Sequence, residues 1–163
     1  MMTIRPTTAQ DWRTLKHLRL AALLDAPQAF GLRHETAVYH SDAVWRERAA
    51  GTADLAYFVG LIGDDAAAMA GAWISPERDF KLISMWTKPE YRGTGVAASL
   101  VEAVKARAVD MGHTRVVLSV AAENIRAVAL YRRQGFSFLP EWEPLASNPT
   151  VSLQTMLWQT APG

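Results

Sequence analysis

Residues 81–108 read KLISMWTKPEYRGTGVAASLVEAVKARA. A β-prone run, Phe80 to Thr87, stops at Lys88-Pro89, and Arg92 then leads into Gly93 and Gly95. From there Val96, Leu100, Val101, Val104, Ala108 and Met111 recur at the spacing of one helix face, and Gly112 is placed to end it. A strand thus runs through a glycine turn straight into an amphipathic helix. Such a junction leaves backbone N–H groups unpaired at the helix start, and the glycines let an anion approach them closely. Arg92 adds a charge-assisted donor. A phosphate-bearing ligand suits this geometry; a plain tight connection would also account for the glycine pair taken alone.

Two common phosphate loops fit poorly. A Walker loop needs a lysine and a Ser or Thr after its last glycine, and no lysine follows either glycine here. The string Gly93-x-Gly95-x-x-Ala98 resembles a dinucleotide fingerprint, which calls for an acidic residue about 20 positions on. That neighbourhood is TRVVLSV, with no acid before Glu123. A nucleotide-dependent enzyme is therefore the poorer reading.

Outward from the loop, the chain alternates strands and helices. Met2 to Pro6 reads as a strand, and Thr8 with Asp11 resembles a capping box. Trp12, Leu15, Leu18, Ala22 and Leu23 give a one-sided helix that DAPQAFG breaks, and SDAVWRERAA restarts a short helix closed by Gly51. Leu55 to Ile62 and Ala66 to Ile74 form a hairpin about Gly63-Asp64-Asp65. After the central helix come a strand, Arg115 to Ala121, a helix from Asn124 to Gly135, and two strands, Phe136 to Leu139 and Val151 to Leu157, separated by PEWEPLASNP. This order indicates an α/β fold of the α+β type, a mixed sheet flanked by helices.

Composition narrows the function. The 163 residues, half of them hydrophobic and a fifth charged, suit one domain with a real core, and we expect a single domain over 1–163. A net charge of +1 with scattered basic residues lacks the footprint of a nucleic-acid binder. The absence of cysteine removes disulfides, a thiol nucleophile and thiolate metal sites. His17, His34, His40 and His113 show no metal-ligand pairing, so no metal is expected. MMTIRPTTAQDW lacks a leader pattern, and nowhere do about 18 apolar residues run uninterrupted. We expect a cytoplasmic protein with no membrane partner.

The motifs resemble a known superfamily. Arg92-x-x-Gly95-x-Ala97 is similar to the (Gln/Arg)-x-x-Gly-x-(Gly/Ala) motif of the GNAT superfamily of N-acetyltransferases, and Asn124-x-x-Ala127-x-x-Leu130-Tyr131-x-x-x-Gly135-Phe136 resembles its second motif. LLDAPQAFG also looks like a phrase of small bacterial members. The resemblance covers essentially the whole chain. It implies a mostly antiparallel sheet of six to seven strands with about four helices and splayed central strands. It further implies acetyl-CoA as cosubstrate, an amine-bearing acceptor, direct attack in a ternary complex, and an optional homodimer. On this resemblance, Met85, Trp86 and Thr87 would pair with the pantetheine arm. Arg92, Gly93, Thr94, Gly95, Val96 and Ala97 would take the pyrophosphate, Asn124 and Ala127 would line the cofactor side, and Arg133 would reach its phosphates.

Acetyl transfer to an amine needs three services. A lysine-like amine, with pKa about 10.4, is less than about 0.1% neutral at pH 7, so a base must take its proton. An oxyanion must be stabilised, which a backbone N–H near Trp86 could do, and Tyr131 is the candidate acid for the departing sulfur. Tyr131 could equally be half-buried core, and Asn124 could simply cap its helix. The base is not legible: FKLISMW contains no carboxylate, and His34, Glu35, His40 and Glu77 are the remaining candidates. The missing glutamate favours easily deprotonated α-amines, and it also supports the alternative of a non-catalytic acyl-CoA-binding or regulatory module. Phe30, Tyr39, Trp45 and the segment PEWEPLASNP could frame an acceptor pocket.

Overall fold

The computed structural model describes residues 1–30 and 32–161. Seven strands form one sheet in the order β1-β2-β3-β4-β5-β7-β6. They are β1 (Met2–Pro6), β2 (Leu55–Ile62), β3 (Asp65–Ile74), β4 (Phe80–Thr87), β5 (Arg115–Val120), β6 (Ser137–Leu145) and β7 (Asn148–Gln159). Every pairing is antiparallel except β4 with β5. The helices are α1 (Trp12–Asp25), α2 (His34–Ala37), α3 (Asp42–Ala50), α4 (Val96–Asp110) and α5 (Ile125–Arg133). The expected mixed, mostly antiparallel sheet is present, and the one-turn α2 is an addition to the expected helices.

Each face of the sheet has its own core. Leu82, Val116, Leu118 and Met156 pack with Val96, Leu100, Val101 and Val104 of α4 and with Val128 and Tyr131 of α5. On the other face Val59, Met69 and Trp86 pack against Leu15, Leu18, Ala22 and Leu23 of α1 and against Trp45 of α3. The apolar stripes read from the sequence are thus the inward faces of these helices, except that Met111 lies just past α4 and is exposed.

Local chemistry sets the element ends. In the hairpin of β2 and β3, Gly63 takes φ +60°, as primed turns require of their first residue. The ends of α4 and α5 share one design. His113 and Gly112 donate to the carbonyls of Ala108 and Val109, and Phe136 and Gly135 donate to those of Tyr131 and Arg132. Both pairs form the Schellman closure. Its apolar contact in α5 is Tyr131 against Phe136, edge to face with ring centroids 5.9 Å apart. Lys105 of α4 donates to the Gln134 carbonyl at 2.9 Å, so the two helices fix each other and the position of Tyr131.

One segment departs from the sequence reading. PEWEPLASNP does not separate the last two strands as a loop; it is largely strand, because β6 runs on to Leu145 and β7 starts at Asn148. Pro140 and Pro144 are tolerated because β6 is an edge strand, and the register is broken between Phe138 and Trp142.

Candidate active site

The parallel pair β4 and β5 touches at a single register point, Lys81 with Val117. Beyond it the strands part, and the backbone edge of β4 from Ile83 to Thr87 has no strand partner on the β5 side. The antiparallel edge is irregular as well. Met69 pairs with Trp86 and Gly71 with Ile83, so Ser84 and Met85 oppose the lone Ala70 as a bulge, with Ser84 at φ +55°. The bulge bends β4 where the split opens. No residue type at this position announces it, which is why the sequence does not reveal it.

The split widens into a cleft of about 1650 Å³. Of the residues expected to form the site, Met85, Trp86, Thr87, Arg92, Gly93, Gly95, Val96, Ala97, Asn124, Ala127, Arg133 and Tyr131 all line it. Thr94 does not. Its hydroxyl donates to the Tyr91 carbonyl at 2.7 Å and braces the turn before the loop. His34, Glu35, His40 and Glu77 are also absent from the cleft walls.

At one end of the cleft the glycine loop presents its backbone. Gly93 and Gly95 take φ of +85° and +89°, and a Cβ on either would meet nothing within 4 Å. The conformation, not crowding, demands glycine there, and the space above the loop is open. The first turn of α4 carries no acidic side chain, so its N–H groups and the helix dipole favour an anion. Arg92 donates to Asp25 Oδ2 at 2.9 Å, and the Trp86 indole N–H donates to the same oxygen at 2.9 Å. These two bonds, the indole's first, hold the Asp25 carboxyl below its ordinary pKa. The residue at the end of α1 therefore aligns β4 and the loop together. In the sequence its segment, DAPQAFG, reads as a helix break and as part of a phrase resembling small bacterial members, with no role for Asp25 itself.

The cleft is also lined by Tyr131, 7% exposed. Burial raises its phenol pKa well above the ordinary value, so the ring stays neutral. A buried phenol normally finds a hydrogen-bond partner, yet none exists here among the described residues, and the side chain borders the cleft. Asn124 Oδ1 accepts from Ala127 N–H at 3.3 Å, so the asparagine does cap α5 while lining the cleft.

The far wall comes from the β6 and β7 hairpin. Ser147 in its turn donates to the Phe30 carbonyl at 2.6 Å, and Arg33 donates back to the Ser147 carbonyl at 2.8 Å, bridging the hairpin to the segment after α1. Glu143 of β6 accepts from the Ser119 hydroxyl at 2.6 Å. Ser119 lies two residues past the Lys81–Val117 pairing, on the parted stretch of β5. Glu143 and Glu141 both line the cleft; their segment, PEWEPLASNP, is among the candidates to frame an acceptor pocket, but neither glutamate stands out singly because the segment reads as a loop. Among the described residues, no group of three or more His, Cys, Asp or Glu could hold a metal ion, and no helix is long and apolar enough to cross a membrane.

A split sheet with an anion-binding helix start at its mouth is the architecture of one family of group-transfer domains. Residues 19–136 match the model of the acetyltransferase (GNAT) family, and the chain belongs to that family. An uncharacterised N-acetyltransferase of Mycobacterium bovis is 43% identical over 60 residues, which are 37% of this chain and 38% of that protein. The chain therefore spans about two fifths of the length of that curated relative. Among solved structures, an acetyltransferase of the GNAT family from Streptococcus pneumoniae superposes with TM-score 0.81 at 16% identity, over 99% of this chain and 100% of that one. The yncA protein of Salmonella typhimurium, solved with its cofactor acetyl-CoA, gives TM-score 0.75 at 17% identity, over 100% and 98% of the two chains. At these identities the structural likeness concerns the fold.

Proposed function

We propose that the protein is an acetyl-CoA-dependent N-acetyltransferase acting on a primary amine as a single domain over residues 1–163. The observation that carries this reading is the β4 and β5 split, whose cleft is lined both by the glycine loop at the start of α4 and by the unpartnered Tyr131 phenol. The pyrophosphate of CoA would lie on the Arg92–Ala97 backbone, where Arg92 exchanges or shares Asp25 for a phosphate oxygen. The open edge of β4 at Met85, Trp86 and Thr87 offers the pantetheine amides strand-like hydrogen bonds. Asn124 and Ala127 border the arm, and Arg133 supplies charge toward the phosphates.

The chemistry then follows from what each group can exchange. The neutral amine attacks the thioester carbonyl and forms the C–N bond, and the oxyanion is stabilised by N–H groups that β4 presents to the split. Collapse breaks the C–S bond, and Tyr131, kept neutral by burial, donates to the departing sulfur. The amine proton needs an acceptor. Asp25 is a weak base, because Trp86 and Arg92 hold it as an anion. Glu143 has one oxygen engaged by Ser119 and the other without a partner among the described residues, so it is the carboxylate we assign to that step.

The test is thiol release. With acetyl-CoA and a panel of α-amines, lysine-like amines and polyamines, wild-type protein should liberate free CoA in step with amide formation for at least one class. Tight CoA binding with no transfer across the panel would leave a binding module instead.

A further inference from the structure

The wall of the cleft made by α1 contains a charge that the chain does not neutralise. Arg19 is 8% exposed and lines the cleft beside Phe30, whose ring lies 5.6 Å from its guanidinium carbon. Its Nη1 is buried without a hydrogen-bond partner, and no carboxylate forms an ion pair with it among the described residues. A second cation is close by: Arg48 stacks on Trp45 at 5.2 Å and lies 3.1 Å from His40 Nδ1. Burial lowers the Arg19 pKa, Tyr57 opposes that and Arg48 adds to it, and burial with both arginines lowers that of His40. An unpaired buried guanidinium is among the costliest groups a fold can carry, and removing it would ordinarily stabilise the chain. Its retention at a ligand-facing wall calls for an anion that arrives from outside.

We propose that Arg19 is the carboxylate-recognition residue of the acceptor site, so that the acceptor is an amine that also bears a carboxylate. The pyrophosphate has its own cradle at the Arg92–Ala97 loop, with Arg92 as its cation, which leaves Arg19 to the other ligand. A guanidinium offers paired N–H donors that match a carboxylate, and Phe30 at its side keeps water from the pair. This assignment rests on the acetyltransferase reading above and deepens it.

The experiment uses the full chain with acetyl-CoA and a set of α-amino acids, each paired with its carboxamide. The acid of the best pair should exceed its amide in kcat/KM by at least about 30-fold, the scale of truncating one partner of a buried charge pair. Arg19→Gln should bring the acid down to the level of the amide, the acid losing at least about 30-fold more in kcat/KM than the amide does. Arg19→Met should hold or raise the Tm of the ligand-free protein, whereas an arginine that merely props Phe30 would lower it. Equal use of acids and amides, an equal loss for both in Arg19→Gln, or a lowered Tm in Arg19→Met would each overturn the assignment. A second readout separates this from catalysis: the thermal upshift that the same acids give to the CoA-bound protein. An upshift by acids, lost in Arg19→Gln, in a protein that transfers to no amine keeps the subsite and sinks the transferase reading. No upshift and no transfer sinks the subsite.

Discussion

Gly95→Ala separates the turn that the loop makes from its proposed capture of CoA. Gly95 precedes α4 at φ +89°, ψ −1°, and its added Cβ would have nothing within 4 Å. The stability cost is therefore the left-handed backbone alone, about 1–2 kcal/mol for a residue with a Cβ. For a chain of this length that lowers Tm by about 2–8 °C. The effect on the ligand is larger, because the methyl stands in the open space through which a phosphate reaches the α4 N–H groups. Losing one or two hydrogen bonds to a charged group at about 1.5–3 kcal/mol each weakens CoA binding by at least about tenfold. Gly60→Ala is the control: its Cβ would meet Val96 Cγ2 at 2.5 Å, so it should disturb the packing of α4 and lower Tm by more. Calorimetric titration with CoA, alongside thermal unfolding, reads both quantities. Unchanged CoA affinity in a folded Gly95→Ala protein would refute the assignment of the loop.

Tyr131→Phe should lower kcat by about 10²-fold while CoA affinity stays within a factor of two or so, on the scale of general acid catalysis, measured by thiol release and calorimetry. Glu143→Gln should slow lysine-like amines by about 10²-fold and α-amines, with pKa about 7.7–8.0, by less; equal slowing would remove Glu143 from proton transfer. Asp11 is held at a pKa of about 2, chiefly by its hydrogen bonds from Arg5 at 2.8 and 2.9 Å, against 3.8 for the free group. A depressed carboxyl stabilises the fold above its unfolded pKa, so up to about 1 kcal/mol, the scale of a solvent-screened ion pair, should be lost as pH falls from about 4 to 2, and Asp11→Asn should flatten that loss in acid unfolding curves.

Helices and strands with strong periodicity were legible because one physical cause, burial of a single face, writes itself into spacing. The α4 stripe and the Gly112 and Gly135 closures are of this kind. The glycine loop and Tyr131 were legible through motif resemblance, since the second motif places the tyrosine on the turn that the Schellman closure fixes. Other features depend on partners remote in sequence. Asp25 reaches Trp86 and Arg92 across more than 60 residues, and Ser119 meets Glu143 across 24. Arg19 looks like an ordinary polar position on α1 until Phe30 folds over it. The Ser84 bulge leaves no trace in residue type, because it answers the geometry of β3 rather than a preference of serine.

The most direct test of the central claim is which cofactor the cleft takes. Parallel calorimetric titrations of the full chain with CoA, NAD and ATP should show CoA binding at least about tenfold more tightly than the other two, a gap of about 1.4 kcal/mol or more. NAD or ATP binding in preference to CoA would contradict it.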